Sequence, residues 1–372
     1  MTAAKNWSES AGVGSCLAVV RTPLQLINAS EYIYESRLTS TSLLIIRNAH
    51  RWRRSDFTSA PSIALWKEVT EFAWSMNPFN RGGVNSWMKV LGDVLDDIRF
   101  KRFLDATKLG WHDHDVLVIG NSKDLWTRHL ANQMAGHTRV VECEDGAVSL
   151  NSNWTPSKSW QLRRTLGGFD AKDPALDEIY TSYEGVACLG AEVMKNEYRY
   201  LGSLFDQDRA CITDAVWFVG QPLPGLSIMT WDRYRAVVAA IRGNYEGQGR
   251  FFYFPHPSEN REDARRLCAS LGIEMIEPDF TLETAILRAH SVPGRIASLY
   301  SSAISTVLKI FRGRIQVDVY RPEFSLFSGK MPHETYTEVY GWLERNICSP
   351  NTFFEISGES PSVQQPDRLS VT

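Results

Sequence analysis

The sequence lacks the cysteine spacings that mark zinc ribbons and thiol redox sites. Its six cysteines are scattered at positions 16, 143, 188, 211, 268 and 348, and none forms a Cys-x-x-Cys pair. It also lacks the G-x-G-x-x-G fingerprint of dinucleotide-binding domains and the Walker loop of NTPases. These absences argue against a zinc ribbon, a thiol redox enzyme, a dinucleotide-dependent enzyme and a P-loop NTPase.

Long apolar runs and an excess of one charge are also missing. No run of 18 apolar residues occurs in the 372-residue chain, so we expect no membrane-spanning helix. The first 14 residues lack the basic and apolar regions of a signal peptide, which predicts a cytoplasmic location. The net charge of −3 argues against a general nucleic-acid-binding protein. Basic clusters at 47–54, 99–102 and 163–164 leave open a peripheral contact with the inner face of the membrane.

Apolar strand patterns alternate with amphipathic helical patterns along most of the chain. This alternation predicts an α/β fold with parallel sheets. The pattern pauses between about 147 and 210, which predicts two Rossmann-like domains over 1–210 and 211–357. The Ser-, Pro- and Gln-rich residues 358–372 are expected to be disordered. The predicted strands are Cys16–Val20, Ser42–Arg47, Val116–Gly120, Arg139–Glu142, Ala215–Gly220, Arg250–Phe254, Ile273–Ile276, Arg295–Ser298 and Gly313–Val319. The predicted helices are Pro23–Ser36, Ala64–Trp74, Trp87–Leu104, Asp124–Ala135, Trp231–Tyr245, Asn260–Leu271, Leu282–Ala289, Ala303–Phe311 and His333–Arg345.

An aromatic strand ends in a histidine that is flanked by prolines. Phe251–Phe254 is typical of a buried strand, and Pro255 and Pro257 cannot donate to a sheet ladder, so the strand should end there. His256 would then lie at the carboxyl end of a strand, where ligands bind in open α/β sheets. It either donates a proton or a hydrogen bond to a ligand, or it is a structural residue of a Pro-rich turn.

An acidic turn follows another strand of the same form. Glu144, Asp145 and Gly146 come directly after the β-branched strand Arg139–Glu142 and Cys143. Adjacent carboxylates in a tight turn lie on different sides, so that one can face a cleft while the other braces the loop. An ordinary Asp-Gly turn is the alternative.

Further polar residues follow predicted strand ends in the first half of the chain. Gln25 and Asn28 come after the first strand, and Asn121 comes after Val116–Gly120. These three are candidates to line a cleft at the carboxyl edge of the sheet. For Asn28 and Asn121, a capping or surface role is the alternative.

Two serines and one acidic residue precede helices in the second half. Ser301 and Ser302 stand just before the predicted helix Ala303–Phe311, where a hydroxyl serves as a cap or as a phosphate ligand. Glu283 enters the helix Leu282–Ala289. It either accepts hydrogen bonds from a ribose or is an acidic residue that the helix dipole favours.

In this order, the three motifs resemble those of the bacterial lipooligosaccharide sialyltransferases and the related capsular polysialyltransferases. That group is defined by a D/E-D/E-G motif, an HP motif and a downstream S or S-S/T motif. They match Glu144-Asp145-Gly146, His256-Pro257 and Ser301-Ser302 here. The fragments Arg21–Ala29 and Phe218–Leu223 add to the likeness, which runs from about residue 16 to about residue 310.

The resemblance implies a GT-B fold, with two parallel sheets facing a central cleft. It implies an inverting transferase that moves sialic acid from CMP-sialic acid to a hydroxyl of a glycan or glycolipid acceptor, such as lipooligosaccharide, O-antigen or capsule. An inverting transfer needs a base for the acceptor hydroxyl and stabilisation of the leaving group. Glu144 would be that base, with Asp145 as the alternative base or as the residue that holds the loop.

The resemblance also implies how the donor is held. His256, with Pro257, would donate a proton or a charge-assisted hydrogen bond to the leaving phosphate. Ser301 and Ser302 would bind the same phosphate, and Gly220 of the Phe218–Leu223 fragment would lie on the donor side. Because these donors meet a single phosphate, we expect no obligatory metal and no cofactor.

Three alternatives stay open. The donor could be another CMP-activated nonulosonic acid, such as Kdo, legionaminic acid or pseudaminic acid. The reaction could be that of a UDP- or GDP-sugar transferase or epimerase. The chain could also be a non-catalytic subunit of a glycan-assembly system. A homodimer through the helices of residues 60–105 is open too, because the aromatic residues there suit either a core or an interface.

Overall fold

A computed structural model describes residues 14–49, 52–74, 86–107, 113–145, 155–170, 172–183, 186, 190–205, 211–277, 281–289, 291–301, 303–311, 313–347, 353–358 and 363–364. The chain divides into two compact units, Met1–Leu201 and Gly202–Thr372. We call them the N-terminal unit and the C-terminal unit. The sequence-based boundary near residue 210 falls a short way beyond this division.

The N-terminal unit is built around a parallel sheet. Its strands follow the order β3-β2-β1-β4-β5-β6-β7, in which the chain reverses direction across the sheet between β1 and β4. Ligands bind at such a switch point, outside the carboxyl ends of the strands. The strands are β1 Ser15–Val20, β2 Ser40–Asn48, β3 Glu68–Trp74, β4 Val116–Ile119, β5 Arg139–Cys143, β6 Glu178–Thr181 and β7 Glu192–Lys195. The helices are α1 Pro23–Glu35, α2 Arg54–Thr58, α3 Ser86–Ala106, α4 Leu125–Met134, α5 Lys158–Gly167 and α6 Arg199–Leu204.

Both faces of this sheet are covered by apolar side chains. In β1, Cys16, Ala18 and Val20 pack on the face that holds Leu26 of α1. Leu17 and Val19 point to the opposite face. A strand that is buried on both faces is apolar at every position, which is why β1 could be predicted from its composition.

The C-terminal unit repeats the same topology. Its strand order is β10-β9-β8-β11-β12-β13-β14, parallel except for the antiparallel pair of β13 and β14. The predicted α/β class, with a Rossmann-like parallel sheet in each of two units, is confirmed. The strands are β8 Cys211–Val219, β9 Phe251–Phe254, β10 Glu274–Met275, β11 Ser291–Ser298, β12 Gln316–Pro322, β13 Phe353–Ile356 and β14 Val363–Gln364. The helices are α7 Trp231–Asn244, α8 Arg261–Leu271, α9 Leu282–Arg288, α10 Ala303–Phe311 and α11 His333–Ile347.

Two sequence-based expectations are wrong. The predicted helix Ala64–Trp74 is instead a 3₁₀ turn over Pro61–Leu65 followed by β3, which pairs with β2 along its whole length. Val, Thr, Phe and Trp favour strands, and this pairing outweighs the helical spacing. The expected disorder of 358–372 fails at Val363 and Gln364, which pair with Glu355 and Ile356.

The aromatic residues considered for a dimer interface are mostly internal. Trp66 and Phe72 are buried, and Phe72 packs edge-on against Phe100 of α3. Trp74 is half-buried, while the side chain of Trp87 lies outside the described residues. Within the described part of the chain, no helix is long and apolar enough to cross a membrane.

Candidate functional site

The Asp145 carboxyl lies at the carboxyl edge of the N-terminal sheet, just after β5. Thr22 Oγ1 donates a hydrogen bond to Asp145 Oδ1 at 3.2 Å, and Asn121 Nδ2 approaches Oδ2 at 3.4 Å. Burial raises the pKa of Asp145 above its ordinary 3.8, while hydrogen bonds from Gln25, Thr22 and Asn121 and the charge of Arg21 oppose the rise. A raised pKa makes this carboxylate a better proton acceptor than an exposed one.

The donors around Asp145 are placed by the first helix and by a close backbone approach. Thr22 is the N-cap of α1 and accepts from the backbone N–H of Gln25, with Pro23 as the first helical residue. Gln25 Oε1 accepts from the backbone N–H of Arg21 at 2.7 Å. A Cβ at Gly120 would lie 2.3 Å from Gln25 Cδ, so a glycine is needed there for the amide to sit at the strand end.

The neighbouring Glu144 side chain has a different environment. Only 3% of its surface is exposed. Oε2 accepts from Thr181 Oγ1 at 2.7 Å and from the backbone N–H of Ser182 at 2.6 Å. Oε1 accepts from Ser182 Oγ at 2.7 Å and from Tyr198 Oη at 2.8 Å. Each carboxylate oxygen therefore already has two donors, which is the arrangement of a buried structural carboxylate.

Asn28 of α1 holds the backbone of the Glu144–Asp145 turn by a hydrogen bond. It is fully buried, donates to the backbone carbonyl of Glu144 at 2.9 Å and accepts from Asn196 Nδ2 at 3.1 Å. The sequence suggested Asn28 as a residue that lines a cleft, but the structure buries it beneath the loop instead. It does place Gln25 and Asn121 beside Asp145. Gly146 of the acidic motif lies outside the described residues.

A pocket of about 480 Å³ opens beside Asp145. Three tryptophans line it, Trp52, Trp74 and Trp160. The buried indole N–H of Trp74 has no hydrogen-bond partner among the described residues. Flat aromatic walls with indole donors suit a ligand that has both apolar faces and hydroxyl groups.

The two arginines of this pocket, Arg21 and Arg163, are held by acidic partners. Arg21 forms an ion pair with Asp124, the N-cap of α4, and its guanidinium lies 5.3 Å from the ring centre of Trp126. Arg163 donates to both oxygens of the buried Asp97, at 2.6 and 3.0 Å. These pairs fix the polar walls in one geometry.

In the C-terminal unit, His256 follows β9 as predicted. Its backbone N–H donates to Glu259 Oε2 at 2.6 Å, and its Nδ1 accepts from the backbone N–H of Ser258 at 3.0 Å. An Nδ1 that accepts places the proton of the neutral imidazole on Nε2. Pro257 lies half-buried in the same turn.

Sequence reasoning missed the residue that organises this turn, Glu259. Its carboxylate accepts from Tyr253 Oη at 2.6 Å as well as from the His256 backbone. Tyr253 Oη lies 3.0 Å from Tyr234 Oη, which accepts from the backbone N–H of Gln221. This series of hydrogen bonds joins the end of β9 to the end of β8. Burial raises the pKa of Glu259 to about 7, against the hydrogen bonds from Tyr253 and His256.

Gly220, at the end of β8, leaves room for that network. A Cβ there would lie 2.3 Å from Tyr253 Oη and 2.5 Å from Glu259 Oε2. Gly220 was predicted on the donor side, and the structure gives it a packing role beside the His256 turn. The signal for Glu259 was in the sequence, since a carboxylate three residues after His256 can reach back to its backbone N–H.

The remaining donor-side candidates lie at helix starts. Ser301 is buried, and its hydroxyl accepts from the backbone N–H of Ala303 at 3.3 Å, which is a capping contact for α10. Ser302 lies outside the described residues. Glu283 is buried in the first turn of α9, and burial raises the pKa of its carboxyl despite hydrogen bonds from its own backbone N–H and from Thr281.

No protein-family model matches the chain, and no curated protein matches it. Among solved structures, it is similar to the UDP-GlcNAc 2-epimerase from Neisseria meningitidis bound to UDP-GlcNAc. That likeness has 14% identity, covers 78% of this chain and 79% of that chain, and has a TM-score of 0.43. The UDP-GlcNAc 2-epimerase from Methanocaldococcus jannaschii is similar at 12% identity over 82% and 83%, with a TM-score of 0.42. UGT89C1 from Arabidopsis thaliana, in complex with quercetin, is similar at 11% identity over 95% and 87%, with a TM-score of 0.48. Likenesses this distant assign no function to the chain.

Proposed function

We propose that the chain is an inverting, metal-independent glycosyltransferase that moves sialic acid from CMP-sialic acid to a hydroxyl of a cell-surface glycan. The observation that carries the proposal is the Asp145 carboxyl. It lies at the switch point of a Rossmann-like sheet with a raised pKa, and it borders a tryptophan-lined pocket. A general base beside a pocket suited to a saccharide is what acceptor activation requires.

We assign the base role to Asp145 rather than to Glu144. The four donors on Glu144 occupy both of its oxygens, so it is poorly placed to take a proton from an acceptor. Asp145 has longer contacts, at 3.2 and 3.4 Å, and borders the pocket. Glu144 would then be the carboxylate that braces the loop.

The proposed reaction is a single displacement. The acceptor O–H bond breaks as its proton passes to Asp145, and the oxygen attacks the anomeric carbon of the donor. The bond from that carbon to the phosphate oxygen breaks with inversion, and CMP leaves with the electron pair. His256 donates a hydrogen bond or a proton from Nε2 to the leaving phosphate. The capped start of α10 at Ser301 would add backbone donors for the same phosphate.

The acceptor would occupy the pocket beside Asp145. Saccharide rings present C–H faces that pack on indole rings, such as those of Trp52, Trp74 and Trp160. A lipooligosaccharide, O-antigen or capsule acceptor ends in such rings.

A donor survey tests the proposal. CMP release would be measured from CMP-Neu5Ac and CMP-Kdo, and UDP release from UDP-sugars, each with EDTA present. We expect release from CMP-Neu5Ac that EDTA does not affect. Release from CMP-Kdo alone would keep the mechanism and change the donor. Turnover of UDP-sugars alone, or no turnover with any donor, would contradict the proposal, and the latter would favour a non-catalytic subunit.

A further inference from the structure

Exposed apolar side chains are concentrated on two neighbouring helices of the N-terminal unit. Eleven large apolar side chains are exposed in the described part of the chain, and five of them lie on α3 and α5. Such a concentration differs from scattered surface leucines, because contiguous apolar patches often mark interaction sites. We name these five residues the leucine face: Leu91, Leu95, Ile98, Leu162 and Leu166.

The five side chains form one surface. Leu91, Leu95 and Ile98 follow a spacing of four and three residues and share one side of α3, away from the buried Phe100. Leu162 and Leu166 are four residues apart on α5, a helix that has no buried residue. All five are between 39% and 60% exposed.

Polar contacts hold the two helices side by side. Asp97 of α3 is bound by Arg163 of α5, and Lys101 Nζ donates to the carbonyl of Gly168 at 2.7 Å. From the first contact to the second, the residue number rises on both sides, from 97 to 101 and from 163 to 168. The helices α3 and α5 therefore run in the same direction. The residues that make these contacts are not those of the leucine face, which is left to solvent.

The charges around the leucine face are mainly basic. Arg102 of α3 and Lys158 of α5 are exposed on the same sides of their helices as the leucine face, whereas the exposed Arg164 lies on the opposite side of α5. The acidic Asp96 and Asp97 of α3 are buried and paired with Arg99 and Arg163. Among the described residues of the two helices, Asp105 is the exposed acidic side chain.

We propose that the leucine face docks the protein on an anionic phospholipid bilayer. Apolar side chains would enter the boundary between headgroups and acyl chains, while Arg102 and Lys158 meet lipid phosphates. A second copy of the chain fits less well, because a twofold contact would bring these same cations together. Trp160 of α5 lines the pocket beside Asp145 from the side of the helix opposite Leu162, so docking would leave that pocket uncovered. Membrane docking does not depend on the proposed transferase activity.

Vesicle co-sedimentation tests this proposal. Wild-type protein would be mixed with phosphatidylcholine vesicles with and without phosphatidylglycerol. We expect binding only to the anionic vesicles, weakened by salt. The double variant Leu95→Ser/Leu166→Ser should reduce the partition coefficient by about tenfold or more. The matched control Val193→Ser/Leu226→Ser removes two other exposed apolar side chains and should bind like the wild type.

A charge variant tests the basic residues separately from the leucine face. Arg102→Glu/Lys158→Glu keeps the leucines and should lose preference for anionic vesicles, with an unchanged melting temperature. Equal binding by the wild type, Leu95→Ser/Leu166→Ser and Arg102→Glu/Lys158→Glu would overturn the proposal. So would a dimer seen by analytical ultracentrifugation that Leu95→Ser/Leu166→Ser abolishes, because the occupant would then be a second copy.

Discussion

Replacing Glu144 should damage the fold rather than the chemistry, and the size of the effect depends on which residue replaces it. Glu144→Ala removes the acceptor for Thr181 Oγ1, Tyr198 Oη and two groups of Ser182. Leaving buried donors unsatisfied costs about 1–3 kcal/mol each, and the hydroxyls can partly relax. We therefore expect Glu144→Ala to lower the free energy of unfolding by about 3–5 kcal/mol.

Glu144→Gln should be much milder for a reason of geometry. The backbone N–H of Ser182 cannot accept, so the glutamine oxygen must take the Oε2 position. The amide nitrogen then faces the hydroxyls of Ser182 and Tyr198, which can rotate and accept. The charge of the acceptor is lost, and the hydroxyl hydrogens of Ser182 and Tyr198 must turn away from the amide nitrogen, which should cost about 1–2 kcal/mol.

The assay is urea unfolding at equilibrium, combined with CMP release per folded molecule. Asp145→Asn is the matched control, because it neutralises the adjacent carboxylate without touching the Glu144 network. We expect Glu144→Gln to retain turnover within about tenfold of the wild type and Asp145→Asn to retain its stability. A stable Glu144→Gln protein that has lost turnover by a hundredfold or more would refute the reasoning and return the base role to Glu144.

Two further predictions concern the His256 turn. Gly220→Ala should lower the free energy of unfolding of the C-terminal unit by roughly 1–3 kcal/mol, because its Cβ would displace Tyr253 Oη and Glu259 Oε2; unchanged urea denaturation would contradict this. Glu259 has its pKa raised from 4.5 to about 7 by burial, so the folded state binds the proton more tightly. Stability should therefore fall as the pH rises from about 4.5 to about 7, by at most about 3 kcal/mol. Glu259→Gln should flatten that dependence in thermal melts, and an unchanged slope would exclude Glu259 as its source.

Most of the fold could be predicted because doubly wound sheets have a strong sequence pattern. β1, β4 and β9 are short apolar runs, and each is followed by a turn and a helix. The pattern failed where short strands are not uniformly apolar. β6 (Glu178–Thr181) and β7 (Glu192–Lys195) have polar residues at both ends and show no apolar run, so the segment between about 147 and 210 had no assigned strands.

That same segment explains why the sequence alone could not choose between Glu144 and Asp145. The sequence placed Glu144 and Asp145 together at a strand end but could not say which of them has both oxygens occupied by hydrogen-bond donors. The partners that bury Glu144 are Thr181 and Ser182 at the end of β6 and Tyr198 after β7, all from the stretch without a recognised pattern. The orientation of adjacent side chains in a turn depends on such long-range partners rather than on local propensity.

The most direct test of the account is the rate of sialyl transfer by Asp145→Asn, measured with saturating CMP-sialic acid and acceptor, beside Glu144→Gln. Loss of a general base lowers kcat by about 10²–10⁴-fold. The account predicts a loss of that size for Asp145→Asn, in a protein that melts like the wild type, and a small change for Glu144→Gln. Full turnover by Asp145→Asn would contradict the central claim.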